Sequence, residues 1–215
     1  MNIGVFGTGM VGNVIGSKLI SLGHNVKMGS RTADNEKATA WAASQGPNAS
    51  NGTYADAAAF GELIFNCTNG MGSMEAFKQA GAANVCRKLV VDISNPLDFS
   101  KGMPPSLSVC NTDSLAEQLQ REFPEAKFVK TLNTVNCNIM VNPALLAGDH
   151  DMMLCGNDTD AKATVKDILT NWFGWKTIHD LGDLTGARGM EMWLPLWLRF
   201  MMTTGTANFN IRLVK

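Results

Sequence analysis

The stretch Gly7–Gly12, with the sequence Gly-Thr-Gly-Met-Val-Gly, matches the pattern G-x-G-x-x-G close to the start of the chain. A short apolar run, Met1–Phe6, precedes it, and Val14–Ile20 follows with apolar residues at helical spacing. Strand, glycine turn and helix therefore occur in the order that a dinucleotide-binding site requires. A glycine-rich turn without a ligand is the alternative, and the place of the pattern between strand and helix favours the nucleotide.

Each glycine of the turn has a separate task in such a site. Gly7 permits the tight turn, Gly9 lets backbone N–H groups approach a pyrophosphate, and Gly12 lets the helix pack close to the strand. The helix N-terminus then offers unpaired N–H groups and a positive dipole end to the phosphates. The residues predicted to bind the pyrophosphate are Gly7, Thr8, Gly9, Met10, Val11 and Gly12.

The end of the second predicted strand, Asn25–Met28, indicates which nucleotide is bound. A site for NAD usually has an aspartate or glutamate there, which holds the ribose hydroxyls. This chain has hydroxyl side chains and a guanidinium instead, and these groups suit a 2′-phosphate through charge-assisted hydrogen bonds. The sequence therefore predicts NADP rather than NAD, with a solvated surface arginine as the alternative for Arg31. The residues predicted at the 2′-phosphate are Ser30, Arg31, Thr32 and, further along the chain, Lys37.

Three later predicted strands, Leu63–Thr68, Lys88–Ile93 and Lys127–Leu132, each lead into small polar residues. Because ligands lie outside the carboxyl ends of parallel strands, these residues are expected to form a rim along the cofactor. Such a rim forms hydrogen bonds without titrating, which suits a carboxamide and a ring that exchanges hydride. For Asn95 a turn-forming Asn-Pro pair is the alternative. The predicted rim residues are Thr68, Asn69, Ser94, Asn95, Asn133 and Thr134.

The order of elements predicts an α/β Rossmann fold with a doubly wound, mostly parallel sheet. Two stretches rich in polar residues and in Gly or Pro, Gly46–Thr53 and Asp98–Ser108, are predicted loops. A helix is predicted over Ser114–Glu122, capped by one of Asn111, Thr112 and Asp113. The other predicted elements are helices at Asn35–Ser44, Tyr54–Phe60, Met74–Ala80 and Ala161–Trp172 and strands at Asp151–Gly156 and Lys176–His179.

The last part of the chain is predicted to be a small helical extension. Residues 1–215 are expected to form a single NADP-binding domain, in which 183–215 are the C-terminal helix and tail. The stretch Ala187–Met202 is rich in Met, Trp and Leu, which indicates burial in the core, in a pocket wall or against a partner subunit. We expect a pocket wall and a homodimer through this helix. Its charged residues and proline make it unsuited to span a bilayer.

The composition excludes several classes of function. With 45% hydrophobic and 17% charged residues the chain has the composition of a globular protein, and its net charge of −1 predicts no attraction to nucleic acid or to a membrane surface. The five cysteines are scattered and include no C-x-x-C pair, which predicts reduced buried thiols rather than disulfides or a metal site. Because the chain opens directly on a strand, no signal peptide is expected, and the predicted location is the cytoplasm.

No acid–base dyad is evident in the sequence. The residue four positions after Tyr54, the single tyrosine, is Ala58, so the Tyr-x-x-x-Lys pair of short-chain dehydrogenases is absent. The histidines His24, His150 and His179 have no evident partner and are expected to be structural or solvated. We therefore predict no catalytic side chain. Hydride transfer would depend on holding two rings close together in a dry cleft.

The chain resembles, over nearly its whole length, the NADP oxidoreductases that depend on coenzyme F420, whose relatives include the cytosolic domain of the STEAP ferric reductases. The resemblance implies that Thr8, Ser30 and Arg31 hold the 2′-phosphate end. It also implies hydride transfer between the nicotinamide and a deazaflavin or flavin ring. The motifs that carry it are Ile3–Gly12, Gly29–Arg31, Lys130–Val135, Cys155–Asp158, Gly182–Leu184, Ala187–Glu191 and Leu194–Trp197.

Two stretches depart from the pattern of these proteins. Thr68–Gly70 stands where many relatives have a strand end with a proline, and Asn136–Asn138 replaces apolar or small residues. Both are expected on the acceptor side, so the acceptor stays open among coenzyme F420, FMN and FAD. The alternative function is a non-catalytic protein that binds NADP(H) as a redox sensor or partner subunit.

Overall fold

The computed structural model describes residues 1–214, and its centre is an eight-stranded sheet. Its strands are β1 (Asn2–Phe6), β2 (Asn25–Ser30), β3 (Ala49–Thr53), β4 (Leu63–Asn66), β5 (Leu89–Asp92), β8 (Lys127–Thr131), β9 (Asp151–Gly156) and β10 (Thr177–Asp180), and a separate pair consists of β6 (Leu97–Asp98) and β7 (Ser106–Leu107). The helices are α1 (Met10–Ser21), α2 (Glu36–Gln45), α3 (Tyr54–Phe60), α4 (Gly70–Ala80), α5 (Ala82–Val85), α6 (Leu115–Glu122), α7 (Cys137–Val141), α8 (Thr159–Asp167), α9 (Ala187–Met192) and α10 (Leu194–Thr204).

The order of strands across the sheet is β3-β2-β1-β4-β5-β8-β9-β10. All neighbours are parallel except β8 and β9, which are antiparallel. The order reverses next to β1, so a crevice opens there at the carboxyl ends of the strands. The predicted α/β Rossmann fold with a doubly wound, mostly parallel sheet and C-terminal helices is confirmed.

The central strand β1 is buried on both faces of the sheet. Val5 and Phe6 are adjacent in the strand, so their side chains point to opposite faces. Val5 packs into one core cluster with Ile15 of α1, and Phe6 packs into a second cluster with Phe77 of α4. Two helical layers thus cover the sheet, which explains why β1 has an apolar sequence rather than an alternating one.

Two predicted loops contain strands. The stretch predicted as the loop Gly46–Thr53 ends in β3, which pairs along its whole length with β2. The predicted loop Asp98–Ser108 holds most of the small antiparallel pair of β6 and β7. Both predictions were wrong because these segments are polar, and their pairing depends on a neighbouring strand rather than on an apolar pattern.

The cap of α6 also differs from the prediction. Ser114 is the cap, and its Oγ accepts a hydrogen bond from the backbone N of Glu117 at 3.2 Å. Asn111 and Thr112 are exposed, and Asp113 binds the guanidinium of Arg121 instead. The helix therefore begins one residue later than predicted.

The C-terminal apolar stretch forms two helices rather than one. The stretch divides at Trp193, between α9 and α10, and Pro195 lies in the first turn of α10, where a missing N–H costs least. Among the described residues, no helix combines the length and the apolar character that crossing a bilayer requires.

Candidate functional site

The glycine turn has the close backbone packing that its sequence predicts. Gly7 has a φ of +109°, a conformation that favours glycine, and its N donates a hydrogen bond to the carbonyl oxygen of Gly29 at 3.0 Å. A Cβ at Gly12 would overlap the carbonyl oxygen of Gly7. The turn therefore packs closely against Gly12 in the first turn of α1, and a hydrogen bond joins it to the end of β2.

The same turn is open on its outer side. A Cβ added at Gly9 would meet no atom within 4 Å, and no side chain caps the N-terminus of α1, which begins at Met10. The first N–H groups of a helix have no partner within the helix and carry its positive dipole end. An uncapped N-terminus beside an open glycine fits a pyrophosphate.

The end of β2 brings the predicted 2′-phosphate residues next to this turn. Ser30 is buried, and its Oγ donates to the carbonyl oxygen of Thr32. The Arg31 side chain is exposed, and within residues 1–214 it forms no hydrogen bond or ion pair. Burial raises the pKa of the Tyr54 phenol, and the charge of the nearby Arg31 acts in the opposite direction. Lys37 is exposed in the first turn of α2.

Four of the six predicted rim residues, Thr68, Asn69, Ser94 and Asn95, line one groove. The groove has a volume of about 170 Å³ and extends from the first turn of α1 to the carboxyl ends of β4 and β5. Gly70, at the start of α4, packs so close to Asn95 that a Cβ would overlap the Asn95 carbonyl oxygen. Residues that line the groove include Val11, Thr68, Asn69, Ser94, Asn95 and Phe99.

The third part of the rim, at the end of β8, is joined to the second. Asn133 Nδ2 donates to Asn95 Oδ1 at 2.9 Å, and Asn95 Nδ2 donates to the carbonyl oxygen of Asn133 at 3.1 Å. Asn133 Nδ2 also donates to the carbonyl oxygen of Met190 in α9 at 3.0 Å. Asn95 therefore forms a side-chain bridge rather than only the turn that its neighbouring proline suggests.

Polar atoms without partners mark this end of the rim. Asn133 Oδ1 and Thr134 Oγ1 are buried and have no hydrogen-bond partner among the described residues. Leu132, directly before them, is fully buried and has a φ of +64°, a backbone strain of the kind that clusters at functional sites. Each of these two atoms therefore leaves a hydrogen-bonding position unfilled within the described residues.

A buried ionic network below the rim was missed by the sequence analysis. Lys130 Nζ lies 2.9 Å from Asp92 Oδ2 and 2.9 Å from Glu191 Oε1, and all three side chains are at most 1% exposed. Burial lowers the pKa of Lys130, but the charges of Asp92 and Glu191 act in the opposite direction and raise it. The sequence does contain a signal for this network: Lys130 lies inside an apolar strand, and a buried lysine needs a charged partner.

The network reaches the rim through the ends of β4 and β5. Asp92 Oδ1 accepts hydrogen bonds from Ser94 Oγ at 2.7 Å and from Asn66 Nδ2 at 2.8 Å. Asn66 Oδ1 accepts in turn from Thr68 Oγ1 at 2.7 Å. The side chains of Ser94 and Thr68 are therefore oriented by one buried carboxylate.

Two histidines have partners that the sequence did not reveal. His179 Nε2 lies 2.7 Å from Asp151 Oδ2. His150 bonds to Asn210 and to the carbonyl oxygen of Pro143, so the expectation of no evident partner was wrong for both histidines. These residues belong to the far end of the sheet, at β9 and β10, rather than to the groove.

The cysteines are all free thiols, as predicted, but not all are buried. Cys67, Cys137 and Cys155 are buried, whereas Cys86 and Cys110 are exposed. Burial raises the pKa of the Cys67 thiol, which keeps it protonated below the glycine turn. In the part of the chain that the structure describes, no group of three or more metal-binding side chains comes together.

Comparison with known proteins points to one family. The family profile described as "NADP oxidoreductase coenzyme F420-dependent" matches residues 2–96. The F420-dependent NADP reductase of Methanocaldococcus jannaschii is 31% identical over 127 residues, which are 59% of this chain and 56% of that protein. The metalloreductase STEAP3 of Rattus norvegicus is 28% identical over 207 residues, 91% of this chain and 36% of that protein.

A solved structure matches along the full length. A protein from Arthrobacter sp. FB24, named provisionally as an F420-dependent NADP reductase, is 47% identical. The two structures superpose with a TM-score of 0.95, and the match covers 100% of each chain. By contrast, the alignments span 56% of the archaeal reductase and 36% of the rat metalloreductase.

Proposed function

Because this chain belongs to the family of NADP oxidoreductases that depend on coenzyme F420, we propose that it transfers a hydride between NADP(H) and a second ring system. The proposed second ring is a deazaflavin, coenzyme F420, or a flavin such as FMN or FAD. The observation that carries the proposal is the open glycine turn, which is hydrogen-bonded to the end of β2, where Arg31 has no partner of its own within the described residues.

The chain's own residues have separate parts in holding the cofactor. The residues Gly7–Gly12 bind the pyrophosphate through backbone N–H groups, and Ser30, Arg31, Thr32 and Lys37 surround the 2′-phosphate. The rim residues Thr68, Asn69, Ser94, Asn95, Asn133 and Thr134 orient the carboxamide and thereby one face of the ring. When bound, NADPH supplies the hydride from the C4 position of its nicotinamide.

The groove is suited to orient the two reacting rings, and it supplies no acid or base. The groove-lining residues of the rim are Thr, Asn and Ser, which do not titrate in the ordinary pH range. The half-exposed side chain of Phe99 lines the groove and gives apolar surface for a second ring. Catalysis then rests on proximity and on exclusion of water, and no side chain is assigned as catalytic.

A direct experiment combines binding and turnover. The purified chain is titrated with NADPH by calorimetry, and NADPH oxidation is then followed with coenzyme F420, FMN, FAD and a ferric complex as separate acceptors. Turnover with one of them supports the oxidoreductase and names its acceptor. Tight NADPH binding with no turnover against any of them would support the redox sensor instead.

Further parts of the proposal concern the setting of the protein. We propose a cytoplasmic location, one domain over the whole chain, no metal and no nucleic-acid or membrane partner. We also propose a homodimer through α10, because Leu196 and Phe200 present apolar side chains to solvent one helical turn apart.

A further inference from the structure

The carboxylates of the buried network, Asp92 and Glu191, are surrounded by donors. Glu191 Oε2 accepts from the backbone N of Leu115 at 2.8 Å, and Oε1 accepts from the backbone N of Ala116 at 3.2 Å and from Lys130. Backbone N–H groups and an ammonium group cannot accept a hydrogen bond. Glu191 is therefore the acceptor in every one of these contacts.

The same holds for Asp92. Its Oδ1 accepts from the backbone N of Ser94 at 3.2 Å, from Ser94 Oγ and from Asn66 Nδ2, and its Oδ2 accepts from Lys130. With one ammonium between two carboxylates, the buried triad Asp92–Lys130–Glu191 carries a net charge of one negative unit. The N-terminus of α6 faces Glu191 and offsets about half a unit, so a negative excess remains.

This charge lies directly below the groove. Ser94 lines the groove, and its backbone N, its Oγ and its carbonyl oxygen are all bonded to members of the triad. Because the three charged side chains are wholly buried, water and salt screen their field much less than they screen a surface charge. The field therefore acts on whatever occupies the nicotinamide end of the groove.

We propose that the buried triad Asp92–Lys130–Glu191 stabilises the cationic, oxidised nicotinamide relative to the neutral, reduced one, and so biases the site towards hydride donation by NADPH. The proposal rests on the proposed function, because it places the nicotinamide at the rim. The physical reason is that the ring gains one positive charge when the hydride and its electron pair leave C4 for the acceptor. A negative charge nearby lowers the free energy of that state.

The test measures the ratio of the dissociation constants of NADP⁺ and NADPH by calorimetry, without any acceptor. Glu191→Gln keeps the shape of the side chain and removes the excess charge, so the ratio should rise by about threefold to tenfold. A tenfold rise corresponds to a shift of about 30 mV in the two-electron potential of the bound couple. The matched control is Glu117→Gln. It neutralises a carboxylate in the first turn of α6, the helix whose N-terminus binds Glu191, but Glu117 does not belong to the triad. This variant should change the ratio by no more than about twofold.

A second variant separates charge from damage to the fold. Glu191→Asp keeps the charge of the triad but shortens the side chain, so the ratio should stay within about twofold of that of the unchanged chain. A ratio that follows the loss of stability in each variant, rather than the count of charges, overturns the proposal. If Glu191→Gln does not fold, Asp92→Asn removes the same unit of charge from the other end.

The unchanged chain gives a reading that needs no variant. NADP⁺ should bind at least as tightly as NADPH, and NADPH binding about tenfold tighter overturns the proposal. Failure of the proposed function looks different: without a nucleotide site neither form of the nucleotide binds, and in a redox sensor both forms bind but no acceptor is reduced. Binding of both forms with a ratio that Glu191→Gln leaves unchanged removes this inference and keeps the function.

Discussion

Arg31 is the residue with most influence on the choice of nucleotide. Its exposed guanidinium has no partner among the described residues. Arg31 directly follows β2, and the end of this strand is hydrogen-bonded to the glycine turn. Arg31→Ala should weaken NADPH binding by about 1.5–3 kcal/mol, the effect of losing a hydrogen bond to a charged group, and should leave NADH binding nearly unchanged. Calorimetry with both nucleotides measures the difference.

A surface arginine serves as the control for this prediction. Arg121 is exposed like Arg31 but is paired with Asp113 on α6. Arg121→Ala should leave both affinities unchanged. Equal losses of NADPH and NADH affinity in Arg31→Ala would refute the role at the 2′-phosphate.

Gly9 tests the phosphate cradle without disturbing the fold. Because no atom lies within 4 Å of an added Cβ, Gly9→Ala should fold normally, yet its methyl group stands where a pyrophosphate approaches. We expect the affinity for NADPH to fall by at least about tenfold, or roughly 1.4 kcal/mol. Gly189→Ala in α9 is the matched control, since Gly189 has equally open surroundings. Unchanged affinity in Gly9→Ala, with an unchanged circular dichroism spectrum, would contradict the cradle.

At the scale of single elements, the start of α6 has a measurable dependence on pH. The hydrogen bond from Arg121 lowers the pKa of Asp113 from 3.8 to about 2. Because the folded pKa lies below the unfolded one, this pair stabilises the fold above pH 3.8 and stops doing so as the pH falls to about 2.

The corresponding variant is Asp113→Asn. It should cost about 0.5–1 kcal/mol of unfolding free energy at neutral pH, a modest value because the Arg121 side chain is largely exposed. The cost should vanish near pH 2, and urea unfolding at both pH values measures it. A cost that is the same at both pH values would show that the carboxylate charge is not its source.

The elements differ in how much of them the sequence reveals. The turn Gly7–Gly12 and the buried strands are local patterns, so their positions follow from the residues themselves. The strand β3 was missed because Ala-Ser-Asn-Gly-Thr has no apolar signal, and only its partner β2 makes it a strand. Lys130 was assigned to a strand correctly, but its partners Asp92 and Glu191 are distant in sequence and meet only after folding.

For the whole molecule, the assembly prediction concerns α10. Leu196 and Phe200 are 48% and 43% exposed, and the buried Nε1 of Trp197 beside them lacks a hydrogen-bond partner within residues 1–214. If α10 is the dimer interface, Leu196→Glu should convert a dimer into a monomer, because a buried unpaired charge is costly. Sedimentation velocity measures the mass.

Leu145 offers a matched control for the assembly prediction. It is 58% exposed and lies after α7 rather than on α10, so Leu145→Glu should leave the mass unchanged. A monomer in the unchanged chain at micromolar concentration would exclude the proposed homodimer. Loss of the dimer in both variants would point to a general effect of added charge.

The two outer strands of the sheet, β3 and β10, have a consequence for how the protein behaves at high concentration. Both are short, and β3 consists of small and polar residues while β10 includes a histidine and an aspartate. Fibril growth begins when an open sheet edge recruits an extended apolar segment from another molecule. These short, polar edges are poor templates for such pairing. We therefore expect the protein to resist amyloid-like aggregation even in a concentrated solution.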